Sequence, residues 1–220
     1  PLYEQAVKAL PGGSRKDQIS DWRSLPIAQF PVQQAEEMVQ QHIESLRILV
    51  KATRCKECKW PEWKPGTQLP DQQGYQDIAF AVVLWARLEL AKGEYDGAAL
   101  ALQTGYGMAR HFGQSKTLIL TLIGTAIAGM MNSEIEQFVQ GQDTPNLYRA
   151  LADLPAPLVD VEPAIEYEKR VGLGEVTNEA LRQQLEGQLT AAHNRVRLLS
   201  RRLDAPVSYT HLTLPTKRIV

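Results

Sequence analysis

Cys55-Lys-Glu-Cys58 places two thiols two residues apart, the spacing at which both can face one metal ion or close a redox pair. A structural zinc site takes four ligands, and the chain holds no further cysteine; His42, the nearest histidine, sits on the preceding helix. Packed or free thiols are the simpler expectation, with a disulfide, redox or metal role as the alternatives. His111 offers an imidazole that titrates near neutrality and so suits proton transfer. A histidine in the last turn of a helix, just ahead of Gly113, also caps carbonyls and answers the helix dipole, and that is the reading preferred. His42 on an apolar stripe and His193 among arginines read as structural or surface residues. Asp160, Glu162, Glu166 and Glu168 have the chemistry to hold a cation or act as acid and base, but lack the spacing of a calcium loop. A solvated acidic face near a helix N-terminus is expected there. Glycines 105, 107, 113, 124 and 129 follow no strand and build no phosphate cradle. No catalytic residue, cofactor or metal is assigned.

These side chains must be positioned by helices. The apolar spacing is helical nearly throughout, and no run of alternating β-branched residues reads as a strand, so the fold class expected is all-α. Leu2, Tyr3, Ala6, Val7 and Leu10 predict a short helix stopped by Pro11-Gly12-Gly13. A loop carries Trp22, Leu25-Pro26 and Phe30-Pro31, and one long helix is expected from about 32 to 53. Residues 54 to 74, rich in proline and with Trp60 and Trp63, read as a packed loop. Helices from Tyr75 to Leu90 and from Tyr95 to about His111, broken at Lys92-Gly93-Glu94, form an αα-hairpin.

The stretch from Thr117 to Ser133 carries no charge and sits at the lower edge of membrane-spanning length. Its threonines, its glycines and the polar continuation Asn132-Ser133-Glu134 favour a buried central helix, with Gly124 and Ala128 admitting a close neighbour. A membrane element of an envelope protein is the alternative. Thr144-Pro145 is read as the start of a short helix through Leu154, with Pro155, Pro157 and Pro163 making an extended or turned segment. From Thr177 to about Leu203 a charged, Gln-rich helix carries a thin seam of leucines, and its arginines alternate with acids rather than forming one basic face. About seven or eight helices are expected in all.

The segment from Ala86 to Ala98 resembles a tetratricopeptide hairpin, with small residues at Ala86, Ala98 and Gly105 where helices cross and large ones at Trp85 and Leu102. Thirty-four residues beyond Ala98 stands Asn132, so the array is repeat-like rather than strictly periodic. A wider resemblance is to a family of planctomycete proteins. It rests on Tyr3-Glu-Gln-Ala-Val7 with Leu10-Pro11, Cys58-Lys59-Trp60, Ala109-Arg110-His111, the run from Thr117 to Ala128, and the run from Pro145 to Asp160. It covers roughly residues 1 to 168 and implies an all-helical domain of bacterial source; it transfers no catalytic residue, and it implies export or tethering by a segment upstream. Residues 207 to 220 resemble a translated sequencing adapter, so with Pro1 at its head the chain is expected to be a metagenomic fragment.

The organisation expected is therefore a helical hairpin domain over 1–170, a charged helix over 171–206, and a non-native tail over 207–220. Setting the tail aside removes His211, Lys217 and Arg218 and leaves 22 basic against 25 acidic residues, with no basic face for nucleic acid. The compartment stays open. The function expected is a helical scaffold that binds a protein or peptide; the alternative is an enzyme with its site among Trp60, Trp63, His111 and the carboxylates near Asp160. A pocket joining His111 to Asp160 or Glu162 speaks for the enzyme, and an apolar groove with those groups dispersed speaks for the scaffold.

Overall fold

The computed structural model describes residues 2–12, 15–61, 71–141, 144–174 and 179–204, and among them the chain is all-helical. The elements are α1 (Leu2–Lys8), α2 (Lys16–Ser24), a 3-10 turn (Ile27–Gln29), α3 (Val32–Gln41), α4 (Ile43–Thr53), α5 (Gln72–Lys92), α6 (Tyr95–Gly113), α7 (Leu118–Gln140), α8 (Tyr148–Ala152), α9 (Glu162–Gly174) and α10 (Glu179–Asp204). These ten α-helices exceed the seven or eight expected, for three physical reasons. The helix α2 stands where a loop is expected, because only Ile19 on it is buried and a single apolar residue leaves no period to detect. The long helix expected over 32–53 is two helices. At His42 the backbone turns to φ −94°, ψ 0°, and the ring Nδ1–H donates to the Met38 carbonyl at 2.7 Å, a local bond that competes with the helical ladder. Pro163, expected in an extended segment, is instead the second residue of α9, where the missing amide costs nothing.

The core is the α5–α6–α7 stack. Its first turn is set by Asp71, whose side chain accepts from the Gly74 amide at 2.9 Å, and α5 ends at Gly93 with φ +73°, a left-handed cap that glycine adopts without strain. The hairpin expected from the Lys-Gly-Glu break forms there. Close approach of α7 to α6 requires the glycines named from sequence. A Cβ on Gly105 would stand 2.0 Å from Met131 Sδ, and one on Gly124 would stand 2.8 Å from the Ala109 carbonyl oxygen. The helix α7 is the one described helix long and apolar enough to cross a membrane, and 56% of its most apolar window is buried within the fold, against α5, α6, α9 and α10.

The short helix α8 begins later than Thr144. Its first amide, from Tyr148, is taken by Asn146 Oδ1 at 2.8 Å, while the Thr144 hydroxyl donates to the Gly141 carbonyl rather than capping a helix. The proline segment after it carries a cis Ala156–Pro157 bond. The helix α9 runs through position 171, at which a boundary is expected, and packs with α10. The adapter-like tail, Trp63 and Thr177, the expected start of the charged helix, lie outside the described residues.

Candidate functional site

Three assemblies gather polar or aromatic chemistry. The first surrounds His111, which is wholly buried near the end of α6. Its Nε2 lies 2.9 Å from the Cys55 carbonyl, which can only accept, so Nε2 carries the proton and Nδ1 accepts from the Tyr3 hydroxyl at 2.8 Å. The His111 carbonyl in turn accepts from Trp60 Nε1 at 2.6 Å. The ring therefore bonds α1 to the loop after α4, instead of capping the carbonyls of its own helix as expected. Tyr3 and Trp60 stack at 5.7 Å, and Phe112 and Tyr75 meet them edge-on. Burial holds the imidazole below its ordinary pKa; the Cys55 bond opposes that, and the Arg110 guanidinium beside it adds to it.

The sign of the consequence follows from linkage. An unfolded His111 takes up a proton near pH 6.5 and the folded one only at lower pH, so this group's stabilisation is complete above 6.5. It is lost as pH falls from there through the folded value. His193, also depressed first by burial, adds a slope of the same sign. Denaturant titrations between pH 7.5 and 5 in a His193→Gln background are expected to show declining stability, and the decline is expected to lessen in His111→Gln.

Of the residues expected to make an enzyme site, Trp60 and His111 are brought together, but the carboxylates near Asp160 are engaged with other partners. Both ring nitrogens of His111 are committed to Tyr3 and Cys55, while Asp160 Oδ1 accepts the Glu162 amide at 3.0 Å. Glu162 pairs with Arg197, 2.6 Å from Nη2 to Oε2, and Glu166 pairs with Lys169. Glu168 departs from a solvated role, its Oε1 accepting the Leu118 amide at 2.9 Å and so serving the start of α7. Both cysteines are free thiols, and burial first, then the neighbouring Cys55, pushes Cys58 up to about 11, far from the thiolate that metal or disulfide chemistry needs. No group of three or more potential metal ligands occurs among the described residues.

The second assembly escaped the sequence reading. Glu134, counted there as a polar continuation, is fully buried on α7 and meets Arg87 Nη1 of α5 at 3.0 Å and Arg23 Nε of α2 at 3.4 Å. Arg87 also donates to the Leu25 carbonyl and lies 5.6 Å over the Phe30 ring. Burial raises the Glu134 carboxyl and the two guanidiniums oppose it. The signal was present. Glu134 follows Met131 by three and precedes Phe138 by four, so it shares their buried helix face.

The third is a surface groove of about 650 Å³. One wall is a single face of α6, Asp96, Ala99, Leu100, Gln103, Tyr106, Gly107 and Arg110, recurring at intervals of three and four. From Asp96 to Arg110 that face runs about 21 Å. The opposite wall is Leu147, Leu151, Leu154, Pro155 and Leu158, and Leu102 and Ile135 form the base. This second wall follows α6 from its start to its end, because Gly141 lies near Tyr95 and Val159 sits on Gly113, where an added Cβ would be 3.0 Å from Val159 Cγ1. Leucines at 147, 151 and 154 turn one side of α8 onto the core and leave Tyr148 70% exposed. Neither His111 nor Asp160 lines the groove. No protein-family model, curated protein or solved structure matches the chain.

Proposed function

We propose that this chain is a helical scaffold whose groove between α6 and the 147–158 segment binds a peptide or an extended segment of a partner protein. The observation that carries the reading is the groove itself: an apolar base and walls, about 21 Å long, rimmed by the exposed Asp96, Gln103, Ala150 and Asp153. That length accommodates about six residues of extended chain. The hairpin of α5 and α6, with Ala86 and Ala98 buried on it and Gly105 against Met131 of α7, supports a tetratricopeptide-like character, and stacked hairpins commonly present such grooves. The likeness of its sequence pieces to planctomycete proteins belongs to the same proposal and adds a bacterial source.

Selection of a randomised dodecapeptide library on the folded chain tests this. Enriched peptides are expected to bind at least tenfold more weakly to Ala99→Trp, which fills the groove from the α6 side, while that variant keeps its melting temperature. A library that enriches nothing, or peptides indifferent to Ala99→Trp, would contradict it.

A further inference from the structure

We infer that the groove's peptide carries a carboxylate, an Asp or Glu side chain or a free C-terminus, and that Arg110 receives it at the end of the groove nearest α4. The inference rests on the groove being a peptide site and specifies the partner's chemistry. Arg110 lines the groove and is half-buried. Its Nε is buried and makes no hydrogen bond, and its Nη2 lies 3.3 Å from the Cys55 carbonyl and 3.4 Å from His111 Nε2. Among the described residues the other guanidiniums with buried or part-buried pairing have carboxylates: Arg87 and Arg23 share Glu134, and Arg197 holds Glu162. Among the described residues Arg110 has no such partner within ion-pair distance.

A half-buried guanidinium without a carboxylate is a charge left uncompensated, and the terminal Nη groups of its planar head match both oxygens of a carboxylate. The apolar lining that surrounds it lowers the local dielectric, which strengthens such a pair once water is excluded. The two acids of the groove do not supply the pair. Asp96 lies at the far end, in the first turn of α6, where the helix dipole accounts for it. Asp153 stands exposed on the opposite rim, outside ion-pair distance of Arg110. The occupant is thus oriented, with its carboxylate toward Arg110 and its apolar side chains over Leu102 and Ile135.

The dodecapeptide selection is run in parallel on the unaltered chain, Arg110→Gln and Arg110→Lys, each verified by its melting temperature. Peptides from the unaltered chain are expected to pair apolar residues with an acid at one recurring position or at the C-terminus. Replacing that acid by its amide is expected to weaken binding about tenfold or more in the unaltered chain and to change nothing in Arg110→Gln. Arg110→Lys, which keeps the charge and loses the fork, is expected to fall between. Enriched peptides that are apolar without an acid, or an amide penalty that persists in Arg110→Gln, would overturn the inference and leave the groove reading intact. Failure of the unaltered chain to enrich any peptide would overturn both, as would Arg110-dependent binding of sodium oleate with no peptide enriched, which would assign the groove to a small amphiphile.

Discussion

Replacing Glu134 by alanine is expected to destabilise the fold by about 3–5 kcal/mol, because it strands the Arg87 charge in the interior. Glu134 is 0% exposed and Arg87 3%, so neither has solvent to fall back on. The loss is larger than a surface ion pair would give, since such pairs contribute about 0–1 kcal/mol. It also releases α2 and the 3-10 turn, which hang on this carboxylate through Arg23 and on Arg87 through the Leu25 carbonyl and the Phe30 ring. Replacing both partners distinguishes charge from packing. Arg87→Met with Glu134→Leu removes both charges at similar volume and is expected to recover most of the loss. Guanidinium unfolding of the single and double variants checks both statements, and equal losses in the two would contradict the electrostatic account.

The second large effect concerns how closely α7 approaches α6. A side chain at Gly124 meets backbone, the Ala109 carbonyl oxygen at 2.8 Å and the Gly113 nitrogen at 3.2 Å, so it cannot be relieved by a rotamer change. Gly124→Val is expected to cost about 3 kcal/mol through forced separation of the helices. The contrast is Gly187, on α10, where an added Cβ finds nothing within 4 Å. Gly187→Ala is expected to stabilise by about 0.8–1 kcal/mol through helix propensity alone. Thermal melts of the two variants should therefore move in opposite directions.

These residues also mark where the sequence was informative. The α5–α6–α7 stack was legible because long helices with apolar faces leave a strong period, and the small residues at 105 and 124 stood where α6 and α7 approach. Helix α2 was not, with Ile19 as its one buried residue, and the break at His42 was hidden because the apolar stripe runs on unchanged across a backbone turn. Charge was the harder matter. Glu134 sits at a helical interval from Met131 and Phe138, but its partners lie 47 and 111 residues away, a pairing that no local pattern encodes. The same holds for the groove: the α6 face from Asp96 to Arg110 can be drawn from spacing, whereas its second wall depends on how the proline segment returns along α6. His111 was singled out correctly as a notable residue and assigned the wrong neighbours, since its partners Tyr3 and Cys55 come from distant elements.

The claim that this scaffold works through the α6 groove is tested most directly by mapping where a bound peptide lies. A selected dodecapeptide carrying a benzoylphenylalanine is irradiated on the folded chain and the adducts are located by mass spectrometry. The adducts are expected on residues 96–110 and 147–158 and to be lost in Ala99→Trp. Adducts concentrated on any other face, with binding unaffected by that substitution, would contradict the account.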